Sequence, residues 1–140
     1  KKFISQLLLR GNNKRTNLIK YIELNGIIYM VIGLSFFFLS NTLSSLGIIP
    51  RFYGKEEGLI RLLGFSILII GYYYYYGART HNVSFCLSTV IGRLVLVPIF
   101  FSILIMNNAV DIEFLISPLI LDSLLAIGAF YFWKKESFNN

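Results

Sequence analysis

The chain predicts an all-α integral membrane four-helix bundle, antiparallel in up-down-up-down order with both termini cytoplasmic. Three observations carry this expectation. Hydrophobic residues make up 56% of the 140 and charged residues 14%, against about 25% charged in ordinary soluble domains. Four unbroken apolar stretches approach the roughly 20 residues that a bilayer crossing requires. The links between them are short and turn-like, as between neighbouring antiparallel helices. Transmembrane β-strands would instead alternate in polarity over about ten residues.

The first element, residues 1–25, is basic. In KKFISQLLLR the apolar Ile4, Leu7 and Leu8 share one helical face flanked by Lys1, Lys2 and Arg10. Such a segment is expected to lie on an anionic membrane surface. FISQLLL is too short for a secretory signal core, and no small-residue cleavage site follows it. The bundle proper is expected over residues 26–133, with a polar tail at 134–140.

The first span is expected at Gly26–Leu46 and the second at Leu59–Tyr76. Glu56 and Glu57 open the second helix, where the macrodipole favours anions, and Glu57 is spaced i,i+4 from Arg61 for an outer-interface pair. Gly64 and Gly71 recur seven residues apart and form a smooth stripe for close packing. Tyr72–Tyr76 then form an aromatic belt. Five consecutive residues encircle a helix, so one or two of them must face inward; Tyr72 and Tyr76 are the candidates, able to line a ligand site.

Val83–Met106 forms the third span and Ile112–Phe132 the fourth. The third contains Arg93 and Pro98; the fourth contains Pro118 and Asp122. A central arginine costs about 2.5–3.5 kcal/mol on insertion, and each Leu, Ile, Val or Phe returns about 0.3–0.6 kcal/mol. Fifteen such residues in the third span carry the cation in. Arg93 and Asp122 are equidistant from the Asn107–Asn108 interruption, each about 15 Å from the inner boundary at 1.5 Å per residue. Equal depth predicts an Arg93–Asp122 ion pair at mid-membrane. The same arithmetic adds Ser40, Asn41 and Ser66 as a polar layer, and the two prolines should loosen their helices.

Charge sets the direction. Lys1, Lys2, Arg10, Lys14, Arg15, Lys20, Arg79, Lys134 and Lys135 fall on one side, and Arg51, Lys55 and Arg61 on the other. This positive-inside bias puts both termini in the cytoplasm, and Asn82-Val83-Ser84 there would carry no glycan. Basic residues gathered at segment ends, without interleaved aromatics, exclude a nucleic-acid face despite the net charge of +6. Cys86 is the single cysteine and His81 the single histidine, so a disulfide or a metal cluster of these residues is not expected. No GxSxG, P-loop or dinucleotide fingerprint occurs, and adjacent Glu56 and Glu57 suit a helix start better than acid–base work; no catalytic residue is assigned.

RLLGFSILIIGYYYYYGAR together with FCLSTVIGRLVLVP, within residues 58–133, resembles the DoxX-like class of small, mostly bacterial four-helix membrane proteins. The resemblance implies a multi-pass bundle in a bacterial or organellar inner membrane, with quinone-linked oxidation in some members and accessory roles in others. Two functions follow as expectations. One is a non-enzymatic accessory or structural component of a larger membrane complex, associating with other subunits or itself. The other is binding, transport or redox handling of a lipophilic molecule (quinone, sterol or lipid) around Arg93 and Asp122.

Overall fold

A computed structural model describes residues 14–107, 109 and 112–138. The Ile4/Leu7/Leu8 face lies outside the described residues. All regular elements among the described residues are helices, without strands. In order they form α1 (Asn17–Phe38), the short α2 (Ser40–Ser45), α3 (Glu56–Arg79), α4 (Val83–Ile91), a π-helical turn (Gly92–Leu96), α5 (Val97–Met106) and α6 (Ile112–Phe138). The turn joins α4 and α5 into one rod, so four helices are long and apolar enough to cross a membrane.

Helix α1 starts well before Gly26, so residues 17–25 are continuous with the helix expected from Gly26 onward. Thr16 caps it, its Oγ1 accepting from Ile19 N at 3.3 Å. The carboxylate of Glu136, near the end of α6, accepts from the Asn17 and Leu18 amides. These bonds satisfy N–H groups that a helix start leaves open and place an anion at its positive end. Residues 134–138 of the expected polar tail continue α6 as its last turns. Near its other end, Ser35 Oγ donates to Val31 O, and α1 breaks at Leu39 (φ −115°). The first span therefore does not run unbroken to Leu46.

Glycine spacing fixes how α1 meets α3. A Cβ on Gly26 would stand 2.5 Å from Tyr75 N, and one on Gly33 would stand 2.5 Å from Leu68 N. On the other side, a Cβ on Gly71 would lie 2.6 Å from Met30 N and one on Gly64 2.8 Å from Gly33 O. All four glycines repeat at seven residues, so each pair of turns presents bare backbone to bare backbone. This is the close approach that small residues permit when lipid supplies no hydrophobic drive between helices.

A tight turn leads from α3 to α4. Thr80 Oγ1 donates to Gly77 O at 2.6 Å, His81 takes φ +55°, and Asn82 Oδ1 accepts from Ser84 N and Phe85 N. Farther along the rod, Pro98 has no N–H and its ring crowds the carbonyl four residues back. The chain widens just ahead of it, with Val97 N donating to Gly92 O five residues back. Proline strain is thus absorbed as a π turn, a form often found at functional sites.

Packing is uneven. Leu18, Ile19, Ile22, Ala78, Cys86, Val90, Ala126 and Ala129 form one buried cluster, with Tyr21, Tyr74, Phe85, Phe132 and Trp133 against it. It gathers the beginnings of α1 and α4 and the ends of α3 and α6. At the other end α5 buries no residue and approaches α6 but neither α1 nor α3.

Candidate functional site: a polar cluster between the helices

Helices α1, α3, α4 and α6 and the π turn bring polar side chains together where the packed half gives way to the open half. Arg93, on the π turn, is 2% exposed. Its Nε donates to Thr89 O at 3.1 Å and its Nη2 to Thr89 Oγ1 at 3.3 Å. With the Asn25 amide oxygen turned toward Arg93, Nη1 donates to Oδ1 at 3.1 Å and Asn25 Nδ2 donates to Tyr21 O at 3.2 Å. The reverse orientation sets donor against donor and acceptor against acceptor. The guanidinium also lies over the Tyr74 ring, 5.3 Å from its centroid, a cation–π contact strengthened by exclusion of water. Tyr74 meets Tyr29 edge-on at 5.6 Å, and the Tyr29 hydroxyl donates to Asp122 Oδ1.

The expected Arg93–Asp122 ion pair is not formed. Among the described residues the ion pairs are Arg15–Glu23 and Arg61–Glu57. Equal backbone depth was the wrong criterion, because side chains on a helix lean toward its N-terminus. On helices running in opposite directions they lean apart. Arg93 reaches back a full turn to Thr89, about 5.4 Å along the axis, and Asp122 takes the Tyr29 hydroxyl instead. The cation is satisfied by neutral oxygens and a ring face, and the two charges join one cluster only through Tyr74 and Tyr29.

Nor does the Ser40–Asn41–Ser66 layer assemble. The glycine pairing of α1 and α3 slides Ser40 past Ser66 toward the start of α3. There Asn41 Nδ2 donates to Glu57 Oε1 at 3.2 Å, and Arg61 Nη2 holds the same oxygen at 2.6 Å. Ser66 is exposed and donates to Leu62 O within its own helix. Ser40 is 1% exposed, its Oγ without a partner among the described residues.

Of this run, Tyr74 is the tyrosine that meets the cluster, under Arg93 and against Tyr29. Tyr72 is 39% exposed and packs on Tyr76 at 4.6 Å. Tyr75 accepts from Arg79 Nη1 at 3.2 Å, and the Arg79 guanidinium covers the Tyr75 and Tyr76 rings. The reason was present in the sequence. Gly64, Gly71 and Ala78 form the buried stripe of α3, and Tyr74 lies three residues after Gly71 and four before Ala78.

Asn25, Tyr29 and Thr89 are site residues that charge-based reasoning missed. Asn25 and Tyr29 stand one turn apart on the face that also buries Leu18 and Ile22, and Thr89 stands one turn before Arg93. A polar residue on a buried helical stripe was the available signal. Glu23, also buried, pairs with Arg15 and leaves Oε1 without a partner among the described residues.

Two surface grooves flank the bundle. One of about 590 Å³ is lined by Lys14, Thr80, His81, Asn82, Val83 and Ser84. Another, of about 500 Å³ and apolar, lies along Phe37, Gly58, Arg61, Leu62 and Phe65. Neither includes Arg93, Asp122, Tyr72 or Tyr76, the residues expected around a quinone or lipid. Among the described residues no group of three His, Cys, Asp or Glu could hold a metal. Compared with known families, curated proteins and solved structures, the chain matches none of them.

Proposed function

We propose that this chain is a non-enzymatic multi-pass membrane component that completes a larger helical assembly, with other subunits or further copies of itself seated on α5 and α6. The observation that carries this reading is the contrast between the two helix pairs. Helices α1 and α3 pack backbone to backbone, whereas α5 buries no residue and, with the first half of α6, leaves Ile99, Phe100, Ile103, Ile116 and Ile120 about half exposed.

In this reading the bundle is antiparallel, up-down-up-down. The pairing of Gly26 with Gly71 and of Gly33 with Gly64 supports opposite directions for the first two spans. Both termini are cytoplasmic, supported by the charge bias, in a bacterial inner membrane or an organellar inner membrane. The DoxX-like resemblance of residues 58–133 agrees with an accessory role. Extraction in mild detergent followed by native mass measurement tests the assembly. A mass above one chain is expected; a strict monomer that co-purifies with nothing overturns it. A C-terminal reporter that is active only in the cytoplasm checks the direction.

A further inference from the structure

Asp122 is a carboxylate midway along α6 that pairs with no cation among the described residues. The described basic residues are all accounted for elsewhere. Arg93 is turned onto Thr89, Asn25 and Tyr74. Lys14, Arg15, Lys20, Arg79, Lys134 and Lys135 stand at one end of the bundle, and Arg51, Lys55 and Arg61 at the other. Asp122 receives the Tyr29 hydroxyl on Oδ1, while Oδ2 has no hydrogen-bond partner among the described residues. An unpaired carboxylate away from water is costly, and such groups inside a membrane are normally compensated by a partner or a bound species.

The site is not sealed. Asp122 is partly exposed although it lies on the packed face of α6, between Leu115 and Ala126. Helix α5, which would close the bundle above it, approaches α6 but neither α1 nor α3. Part of the Asp122 surface therefore stays outside the packed interior, on the side of α6 that α1 and α3 do not close with α5. Arg93, by contrast, is closed off at 2% exposure. An anionic ligand entering here would meet the acid and not the guanidinium.

We propose that Asp122 and Tyr29 form an intramembrane binding site for a hydrophobic cation, such as a lipophilic amine in its ammonium form or a quaternary onium ion. The carboxylate supplies the missing counter-charge, and the Tyr29 hydroxyl fixes its orientation. The apolar flanks of α5 and α6 cover the organic body of the ligand. Low local dielectric makes the attraction much stronger here than the same pair would have in water.

Tetraphenylphosphonium is the probe, measured by equilibrium dialysis against the purified full chain in mild detergent, with empty micelles as the blank. Saturable binding is expected, weakened about ten-fold or more by Asp122→Asn, equivalent to about 1.4 kcal/mol, and several-fold by Tyr29→Phe. Glu57→Gln, at the far rim, should bind as the native chain does. If Asp122→Asn cannot be purified folded, Asp122→Glu must still bind and Tyr29→Phe must bind more weakly. Binding no greater than in empty micelles, native affinity in Asp122→Asn, or equal loss in Glu57→Gln overturns the site.

Discussion

The half of the bundle built from the start of α1, the end of α3, α4 and the end of α6 differs sharply from the half that contains α5. In the first, small residues let the helices approach: Ala78, Ala126 and Ala129 are fully buried, Tyr21 packs over Gly128, and Glu136 ties the last turn of α6 to the first of α1. In the second, α5 is rich in Ile, Leu and Phe yet buries none of its residues. Apolar content therefore does not decide what is buried in this chain. Lipid solvates Ile and Phe as well as protein does, so contact follows small residues and polar groups that lipid cannot satisfy. The polar cluster sits at the boundary between the halves.

The comparison can be broken most forcefully at the glycines. Gly71→Leu should lower stability by roughly 3 kcal/mol or more, because a side chain there meets the Met30 backbone with no room to repack. Thermal unfolding in detergent reads this as a large fall in Tm or as loss of folded protein. A Tm unchanged from the native chain would remove the zipper as the organising contact. Tyr29→Phe comes next, with about 1–2 kcal/mol lost as Asp122 loses its hydrogen-bond donor among the described residues; the same unfolding assay checks it.

Smaller effects sharpen the contrast. Glu136→Ala should cost about 1 kcal/mol by uncapping α1. Faster amide exchange at Asn17 and Leu18 would be the local signature, and unchanged exchange would dissociate Glu136 from the helix start. Ile103→Ala, in the exposed half, should shift stability by less than about 0.5 kcal/mol when the chain is alone in micelles. A loss as large as that from Tyr29→Phe would mean that the outer half is packed after all.

Much of the fold was legible because it follows from composition and spacing. Four apolar runs, a glycine repeat and three short links specify four helices and one close-packed stripe without reference to any partner. The first-span boundary was not legible, since Lys20 and Glu23 read as the end of a surface segment. Arg15 neutralises Glu23, and capping by Thr16 starts the helix early. Of the candidate site, Arg93 and Asp122 were conspicuous as charges, whereas Asn25, Tyr29, Tyr74 and Thr89 were hidden among ordinary belt and packing residues. Tyr74 could have been found from the Gly71 and Ala78 stripe, and Thr89 from its place one turn before Arg93.

What the amino-acid order alone determined is which segments are helical and apolar enough to cross a bilayer, where they turn, and which of their faces can touch. What only the tertiary structure decided is which polar groups meet. Hydropathy and depth are properties of single helices, but the reach of a side chain depends on its direction along the helix axis and on how far one helix slides against the next. Here those two quantities turned Arg93 away from Asp122 and put Tyr74 and Tyr29 between them.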